Sequence, residues 1–219
     1  YTISPAQVMV TNDRQQTAIS DFCKPEPSCG IGLRARILNP GSAPCTFRVS
    51  NHPVGGYSVP NLRALNSSQE HAVATALERE LTLIAGPPGT GKTTVAAAIV
   101  YHFVRQRRGR VLVAAESNNA ADRLAEALVP IAAHGVRMLR YFPMRKDEAS
   151  EDSSLPAAVR LQHYIKDDPA CKSWATLLRL NSASARPSQM HRDQLRRQRK
   201  KAYKAIIPTI DVLICTCAT

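Results

Sequence analysis

Apolar and polar positions between residues 65 and 142 follow two alternating patterns, one typical of amphipathic helices and the other of buried strands. The short apolar runs predict strands at 81–85, 111–117 and 136–142. The longer segments with helical spacing predict helices at 65–80, 93–106 and 118–133. A helix followed by strand, helix, strand, helix and strand is the order of a doubly wound α/β fold with a parallel sheet.

Two of the predicted helices have recognisable starts and apolar faces. Ser67 and Glu70 have the S-x-x-E spacing of a capping box, and Val73 and Leu77 fall on one face of the helix that they begin. Asn118 is a candidate N-cap of the helix over 118–133. The apolar positions of that second helix that recur at helical spacing are Leu124, Leu128 and Ile131.

The regions that flank this pattern differ from it in composition. Residues 1–60 are rich in Pro, Gly, Asn and Ser, and the segments 31–38 and 45–49 predict strands, so we expect a β-leaning accessory segment. Residues 61–219 are predicted to form an incomplete α/β domain that ends in an apolar strand. Within it, residues 143–208 are charged and partly helical, which is typical of an insertion between two core strands.

Charge adds a candidate partner to this picture. The 219 residues carry 29 Lys and Arg against 17 Asp and Glu, a net charge of +12, which favours a polyanion such as nucleic acid. The alternative explanation of this charge is a chain that is basic but does not bind nucleic acid specifically. No apolar run reaches the roughly 18 residues of a membrane span, and the first residues are not typical of a secretory leader. We therefore expect no membrane partner and an intracellular location, cytoplasmic or nuclear.

The six cysteines form no CxxC pair, so we expect reduced thiols. Cys23, Cys29, Cys45 and His52 could in principle gather around zinc, but their spacing matches no zinc ribbon or finger. Ordinary structural cysteines are the favoured interpretation.

A glycine-rich loop lies between the predicted strand 81–85 and the helix that follows it. It matches the phosphate-binding pattern G-x-x-x-x-G-K-[ST] in the required strand–loop–helix context. Its glycines allow backbone N–H groups to point at phosphates, and the helix adds the positive end of its dipole. The predicted nucleotide-binding residues of this loop are Gly86, Pro87, Pro88, Gly89, Thr90, Gly91, Lys92, Thr93 and Thr94. Lys92 is expected to reach the β- and γ-phosphates of a nucleoside triphosphate, and the Thr93 hydroxyl to bind Mg²⁺.

Four elements follow one another along the chain: L-N-x-x-Q at 65–69, G-P-P-G-T-G-K-T at 86–93, V-L-V-x-A-x-S-N-x-A-x-D-x-L at 111–124 and D-V-L-I-C-T-C at 211–217. In this order they resemble superfamily 1 helicases of the up-frameshift type, the RNA helicases of nonsense-mediated decay. The resemblance covers about 40% of the chain and leaves out residues 1–60 and most of 143–208. It implies a RecA-like P-loop domain, the N-terminal part of a helicase motor region.

The resemblance also implies roles for individual residues. Gln69 would recognise the adenine edge of ATP, because an amide can donate and accept at once. A single nucleic-acid strand, with RNA favoured over DNA, would contact Ser117, Asn118, Thr216 and Cys217. The basic run 192–204 would guide that strand. The alternatives are an exposed helix residue for Gln69 and a simple N-cap for Asn118. Cys215 and Cys217 could instead fill the core, and the basic run could be a solvated helix face or a flexible segment.

Two departures from the family pattern limit the prediction. Glu116 stands where the family commonly has Pro, and a carboxylate beside nucleic acid is unfavourable unless it points away. We also find no apolar strand that ends in Asp-Glu, the pair that would hold Mg²⁺ and activate water. We therefore expect an ATP-dependent helicase domain that alone binds ATP weakly and hydrolyses it poorly or not at all. The alternatives are a non-catalytic nucleotide- or nucleic-acid-binding module from a truncated helicase, or a P-loop protein of the AAA+ or kinase-like class.

Overall fold

The structure is a computed structural model of the chain. It describes residues 5–24, 31–39, 56–79, 81–106, 109–142, 155–165 and 189–217.

A parallel three-stranded sheet lies at the centre of this part of the chain, in the order β1–β3–β2. Its strands are β1 (Val111–Ala115), β2 (Met138–Arg140) and β3 (Val212–Thr216). Val212 pairs with Val111 on one side and with Met138 on the other, so the last strand in sequence lies between the two earlier ones. The predicted parallel α/β fold is confirmed.

Three helices build the main hydrophobic core together with the sheet. They are α3 (Ser67–Glu78), α4 (Lys92–Arg105) and α5 (Asn118–Ala132). Helix α3 packs on α4, α4 packs on α5, and α5 lies against β1 and β3. Small side chains at Ala98, Ala121 and Ala125 are fully buried, which allows these helices to approach their neighbours closely. The predicted apolar positions Val73, Leu77, Leu128 and Ile131 are buried as expected, and Leu124 is half-buried against the same core.

A second, smaller core attaches two further helices to the sheet. Helix α6 (Leu161–Ile165) and helix α7 (Gln189–Ile206) bury apolar residues together with one residue of β2. The buried members of this cluster are Leu139, Leu161, Tyr164, Ala202, Tyr203, Ile206 and Ile210. The basic run 192–204 therefore lies in helix α7, and one face of this helix is anchored to the fold.

The Tyr164 hydroxyl protects the outer edge of β2. It accepts a hydrogen bond from the Met138 N–H at 3.0 Å, and it lies 2.7 Å from the Met138 carbonyl oxygen, to which it donates. Burial raises the pKa of Tyr164, which keeps the hydroxyl proton available for that donation. A side chain therefore supplies the pairing that a fourth strand would otherwise supply.

Two predicted strands are wrong. Residues 81–85 form no strand, and the Leu83 side chain is 90% exposed, because none of the three described strands lies beside this segment to pair with it. Residues Ile31–Leu38 form helix α2, which follows helix α1 (Pro5–Phe22). A helix satisfies its own backbone hydrogen bonds, whereas a strand needs a partner, and the Arg34 guanidinium ties α2 to the carbonyl oxygens of Phe22 and Lys24. The strand predicted over 45–49 lies outside the described residues.

Both predicted helix caps are shifted by one residue. The capping box of α3 is formed by Asn66 and Gln69, not by Ser67 and Glu70. The N-cap of α5 is Ser117, whose Oγ accepts from the Ala120 N–H at 3.2 Å, and not Asn118. In each case the capping residue has extended backbone angles, and the residue predicted as the cap is already helical.

Within the described ranges, no helix combines the length and apolar character needed to cross a membrane. The same ranges contain no group of three or more His, Cys, Asp or Glu side chains able to hold a metal ion. Of the four residues weighed as a zinc site, Cys29, Cys45 and His52 lie outside them.

Candidate nucleotide-binding and nucleic-acid-binding sites

The glycine-rich loop, residues 86–91, leads directly into the N-terminus of α4. Gly91 is the N-cap of α4 and has a φ of 83°, and Gly89 has a φ of 82°. Such left-handed angles favour glycine. The loop and the first two residues of α4, Lys92 and Thr93, are accessible, so the first N–H groups of this helix are available to an anion.

Lys92 folds back over the loop that precedes it. Its Nζ donates to the carbonyl oxygens of Gly86 at 2.6 Å and Pro87 at 2.8 Å. The Pro87 carbonyl also accepts from the Thr90 Oγ1 at 2.8 Å. Among the described residues, the hydrogen-bond acceptors of Lys92 are therefore neutral carbonyl groups, and phosphate oxygens would be stronger acceptors for it.

Gln69 connects α3 to the same loop. Its Oε1 accepts from the Asn66 N–H at 3.0 Å, and its Nε2 donates to the Thr90 carbonyl oxygen at 3.0 Å. A Cβ at Gly91 would approach the Gln69 Nε2 to 2.5 Å, and a Cβ at Gly86 would approach the Thr90 Oγ1 to 2.8 Å. A Cβ at either position would therefore have to displace one of these side chains, and at Gly91 the positive φ also favours glycine. Such a cradle, with accessible N–H groups and a lysine, suits a triphosphate.

The residues predicted to contact nucleic acid lie at the edge of the sheet that is formed by the carboxyl ends of its strands. Ser117 follows β1, and Thr216 is the last residue of β3. Ala115 and Thr216 are paired in register, and the Cys217 N–H donates to the Ala115 carbonyl oxygen at 2.8 Å. The two predicted pairs therefore meet at the carboxyl ends of adjacent parallel strands.

These residues differ in accessibility. Ser117 and Cys217 are exposed, Asn118 is half-buried, and Thr216 is 8% exposed. Glu116, the residue that departs from the family pattern, is exposed at the same edge. Burial raises the pKa of the neighbouring Cys215 thiol, which keeps it uncharged.

Sequence reasoning missed a buried arginine beside this edge. Arg140, the last residue of β2, has a fully buried side chain. Its Nε lies 2.7 Å from the Asp122 Oδ1, and its Nη2 donates to the Asn118 Oδ1 at 3.0 Å. A charged residue inside an apolar strand was the available signal, because a buried charge requires partners.

The basic helix α7 presents cations on the side that does not enter the small core. Its exposed cationic residues are Arg197, Lys200, Lys201 and Lys204. They are three, one and three residues apart, which is the spacing of neighbours on one side of a helix. Arg199 differs from them, because it is buried and lies over the Tyr203 ring.

Comparison with known proteins identifies the family. A family model described as an AAA domain matches residues 64–182. The chain belongs to this family. The match includes α3, the glycine-rich loop, α4, β1, α5 and β2, which contain the candidate nucleotide-binding residues and the candidate nucleic-acid contacts Ser117 and Asn118.

Individual relatives extend the similarity. The chain is 33% identical over 208 residues to "Regulator of nonsense transcripts 1 homolog" of Arabidopsis thaliana, which covers 94% of the chain and 16% of that protein. It is 34% identical over 205 residues to "ATP-dependent helicase NAM7" of Saccharomyces cerevisiae, covering 94% of the chain and 20% of that protein. It is 35% identical over 211 residues to "ATP-dependent helicase upf1" of Schizosaccharomyces pombe, covering 94% and 22%.

These matches confirm the resemblance to superfamily 1 helicases of the up-frameshift type. They also correct its extent, because similarity over 94% of the chain must include most of residues 1–60 and 143–208. The chain spans about a fifth of the length of these relatives. The activity of a whole relative can therefore not be assigned to this chain on the basis of similarity.

Proposed function

We propose that this chain is the ATP-binding part of the first motor domain of an RNA helicase. The observation that carries the proposal is the pairing of Ala115 with Thr216, which brings the ends of two motif-bearing strands together. Since the chain also has a phosphate-binding loop, it has the two binding elements that an ATP-dependent motor on nucleic acid requires. The names of two relatives, "ATP-dependent helicase NAM7" and "ATP-dependent helicase upf1", support the helicase class.

In this proposal the loop residues Gly86 to Thr94 bind the triphosphate. Lys92 exchanges its carbonyl partners in the loop for β- and γ-phosphate oxygens, and Thr93 supplies its hydroxyl to Mg²⁺. Gln69 is hydrogen-bonded at both ends of its amide. The Nε2 still has a second N–H and the Oε1 a second lone pair, so the amide can still recognise an adenine edge.

The proposed nucleic-acid contacts are sequence-independent. Ser117, Asn118, Thr216 and the backbone of Cys217 would bind sugar and phosphate of a single strand. The four exposed cations of α7 would attract the same strand, and their contribution would weaken as salt concentration rises. Residues 61–219 would form this motor domain with 143–208 as an insertion, and residues 1–60 an accessory segment open to protein partners.

The experiment compares the wild-type chain with Lys92→Ala in two titrations. Binding of a fluorescent ATP analogue with Mg²⁺ should be lost in Lys92→Ala, while binding of a fluorescein-labelled 12-nucleotide oligouridylate should be retained. Loss of both activities would point to a folding defect, which thermal unfolding of the variant would reveal. Failure of the wild-type chain to bind the oligonucleotide at low salt would refute the RNA part of the proposal.

A second candidate is a module that binds nucleotide without turnover. The observation that favours it is the lack of an apolar strand ending in Asp-Glu within these 219 residues. Phosphate release by the chain, measured with and without the oligonucleotide, separates the two. RNA-stimulated release that disappears in Lys92→Ala would support the helicase domain as an enzyme by itself, and no release would favour the binding module.

A further inference from the structure

The buried arginine at the end of β2 connects the sheet with the first turn of α5. All three guanidinium nitrogens of Arg140 have acceptors. Nε pairs with the Asp122 Oδ1 at 2.7 Å, Nη1 donates to the Tyr141 carbonyl oxygen at 2.6 Å, and Nη2 donates to the Asn118 Oδ1 at 3.0 Å. The guanidinium carbon also lies 4.1 Å from the centre of the Phe142 ring.

Burying this arginine costs more free energy of desolvation than burying an apolar side chain of similar size would. Removing a guanidinium from water has a large desolvation cost, and apolar residues of similar volume often stabilise a core as well or better. Packing alone therefore does not explain an arginine at this position. What the arginine provides is a rigid, planar set of donors that fixes the direction of every acceptor around it.

The contact with Arg140 determines which way the amide of Asn118 is oriented. A guanidinium has donors only, so the end of the amide that faces Arg140 must be the oxygen. The Asn118 Nδ2 is then the end that is not bound to Arg140, and it carries two N–H groups. Donation to the Asn118 oxygen also polarises the amide, which makes those N–H groups stronger donors.

We propose that Arg140 is a positioning residue for RNA binding. It holds the Asn118 amide so that Nδ2 donates to phosphate or sugar oxygens of a single strand that crosses the carboxyl ends of β1 and β3. Asp122 neutralises and anchors the guanidinium, so Arg140 acts through Asn118 and makes no contact with RNA itself. This inference rests on the proposed function, because it assigns a geometry to one of the proposed RNA contacts.

The test is a double-mutant cycle on the affinity of the full chain for a fluorescein-labelled 12-nucleotide oligouridylate, without ATP. Asn118→Ala should weaken binding about tenfold. Arg140→Lys keeps a cation for Asp122, but a lysine cannot bind three separated acceptors at once, so it should weaken binding by a similar factor. The double variant should bind within about twofold of Asn118→Ala alone, because the two residues act as one unit.

A stability control accompanies the cycle. Tyr164→Phe removes the hydroxyl that binds the Met138 backbone on the same strand as Arg140, and the partners of this hydroxyl among the described residues are Met138 and Ala158, not Asn118. It should lower the unfolding temperature and leave the dissociation constant within about twofold of wild type. Weakened binding in Tyr164→Phe would mean that stability alone accounts for the effect of Arg140→Lys, and the inference would be overturned.

A second pair of variants tests the donor end directly and leaves Arg140 unchanged. Asn118→Asp keeps an acceptor for Arg140 and replaces the Nδ2 donors by a second acceptor. Asn119→Asp adds the same charge at the next residue, which is exposed. Asn118→Asp should weaken oligonucleotide binding at least roughly fivefold more than Asn119→Asp does. Equal effects would overturn the inference, and this comparison stands even if Arg140→Lys does not fold.

The remaining outcomes separate the inference from the proposed function. Additive effects of Asn118→Ala and Arg140→Lys, or normal binding by Arg140→Lys, would overturn the positioning role and leave the RNA site in place. Normal binding by Asn118→Ala would overturn both that contact and its positioning. A wild-type chain that does not bind the oligonucleotide would refute the proposed function as well.

Discussion

The side chain of Gln69 donates to the backbone of Thr90 across a distance of 3.0 Å, and this hydrogen bond joins α3 to the glycine-rich loop. The other end of the same amide accepts from the Asn66 N–H, so Gln69 completes the capping box of α3. One residue therefore fixes both the start of a helix and the shape of the loop. Substitutions that separate these two functions can be designed from the geometry.

Gln69→Glu should weaken ATP binding while α3 remains capped. The carboxylate keeps an acceptor for the Asn66 N–H, but it cannot donate to the Thr90 carbonyl oxygen. Loss of that donor should lower the affinity for a fluorescent ATP analogue about tenfold, because the loop loses a fixed shape and the proposed adenine contact loses its N–H. Gln69→Met serves as the uncharged comparison. Should Gln69→Met bind ATP like wild type, repulsion between the introduced carboxylate and phosphate would be the cause and the structural connection would be unimportant.

The two glycines with positive φ in the loop should respond differently to alanine. Both have nearly the same φ, 82° at Gly89 and 83° at Gly91, so each substitution should cost about 1–2 kcal/mol from backbone strain. A Cβ at Gly89 has open space, whereas a Cβ at Gly91 would meet the Gln69 Nε2 at 2.5 Å. Gly91→Ala should therefore lower the free energy of unfolding in urea more than Gly89→Ala.

We attribute the larger loss of stability in Gly91→Ala to the contact between the new Cβ and the Gln69 amide. A double variant tests this interpretation. In the background of Gln69→Ala, the difference between Gly91→Ala and Gly89→Ala should disappear. A difference that persists would show that something other than the Gln69 amide limits the space at Gly91.

The parts of the fold that the sequence predicted share a property, namely that local pattern and tertiary environment agree. Helices α3, α4 and α5 have apolar faces at helical spacing and pack on one another, and β1 and β3 are apolar runs that pair. The strand predicted at 81–85 was wrong because strand formation depends on a partner, which a local pattern cannot reveal. For the same reason the alternating segment of α2 was not distinguished from a strand.

The candidate sites show the same division. A local motif identified the glycine-rich loop, and the family resemblance suggested the two strand ends. The pairing of Ala115 with Thr216 depends on a register between strands about 100 residues apart. The contact of Arg140 with Asn118 also joins distant segments, and only its unusual position inside an apolar strand indicated that a partner was needed.

Tyr164→Phe should destabilise the fold by about 1–3 kcal/mol, because the Met138 N–H and carbonyl oxygen lose the hydroxyl that pairs with them in a buried environment. The measurement is the free energy of unfolding in urea. Tyr141→Phe is the matched comparison, since the ring of Tyr141 packs against the tilted ring of Tyr203 and no bond of its hydroxyl is seen in the described part of the chain. A loss for Tyr164→Phe no larger than that for Tyr141→Phe would contradict the role of the hydroxyl.

His102 should make the stability of the chain depend on pH. This residue of α4 is 5% exposed, and its Nε2 has no hydrogen-bond partner among the described residues. Burial lowers its pKa from the ordinary value of 6.5, although a hydrogen bond with the Tyr57 backbone acts in the opposite direction. Below pH 6.5 the unfolded chain therefore binds a proton that the folded chain does not yet bind.

Since the unfolded state gains that proton first, the free energy of unfolding should fall as the pH decreases from 6.5 towards the lower pKa of the folded protein. His102→Phe keeps a ring between Tyr57 and Tyr101 and removes the titrating group. Urea unfolding at several pH values between about 7.5 and 5 should show a smaller acid loss for His102→Phe than for wild type. His71→Gln, at an exposed position of α3, should retain the wild-type slope. An unchanged slope in His102→Phe would mean that another group controls acid stability, and that the buried imidazole is protonated equally in both states.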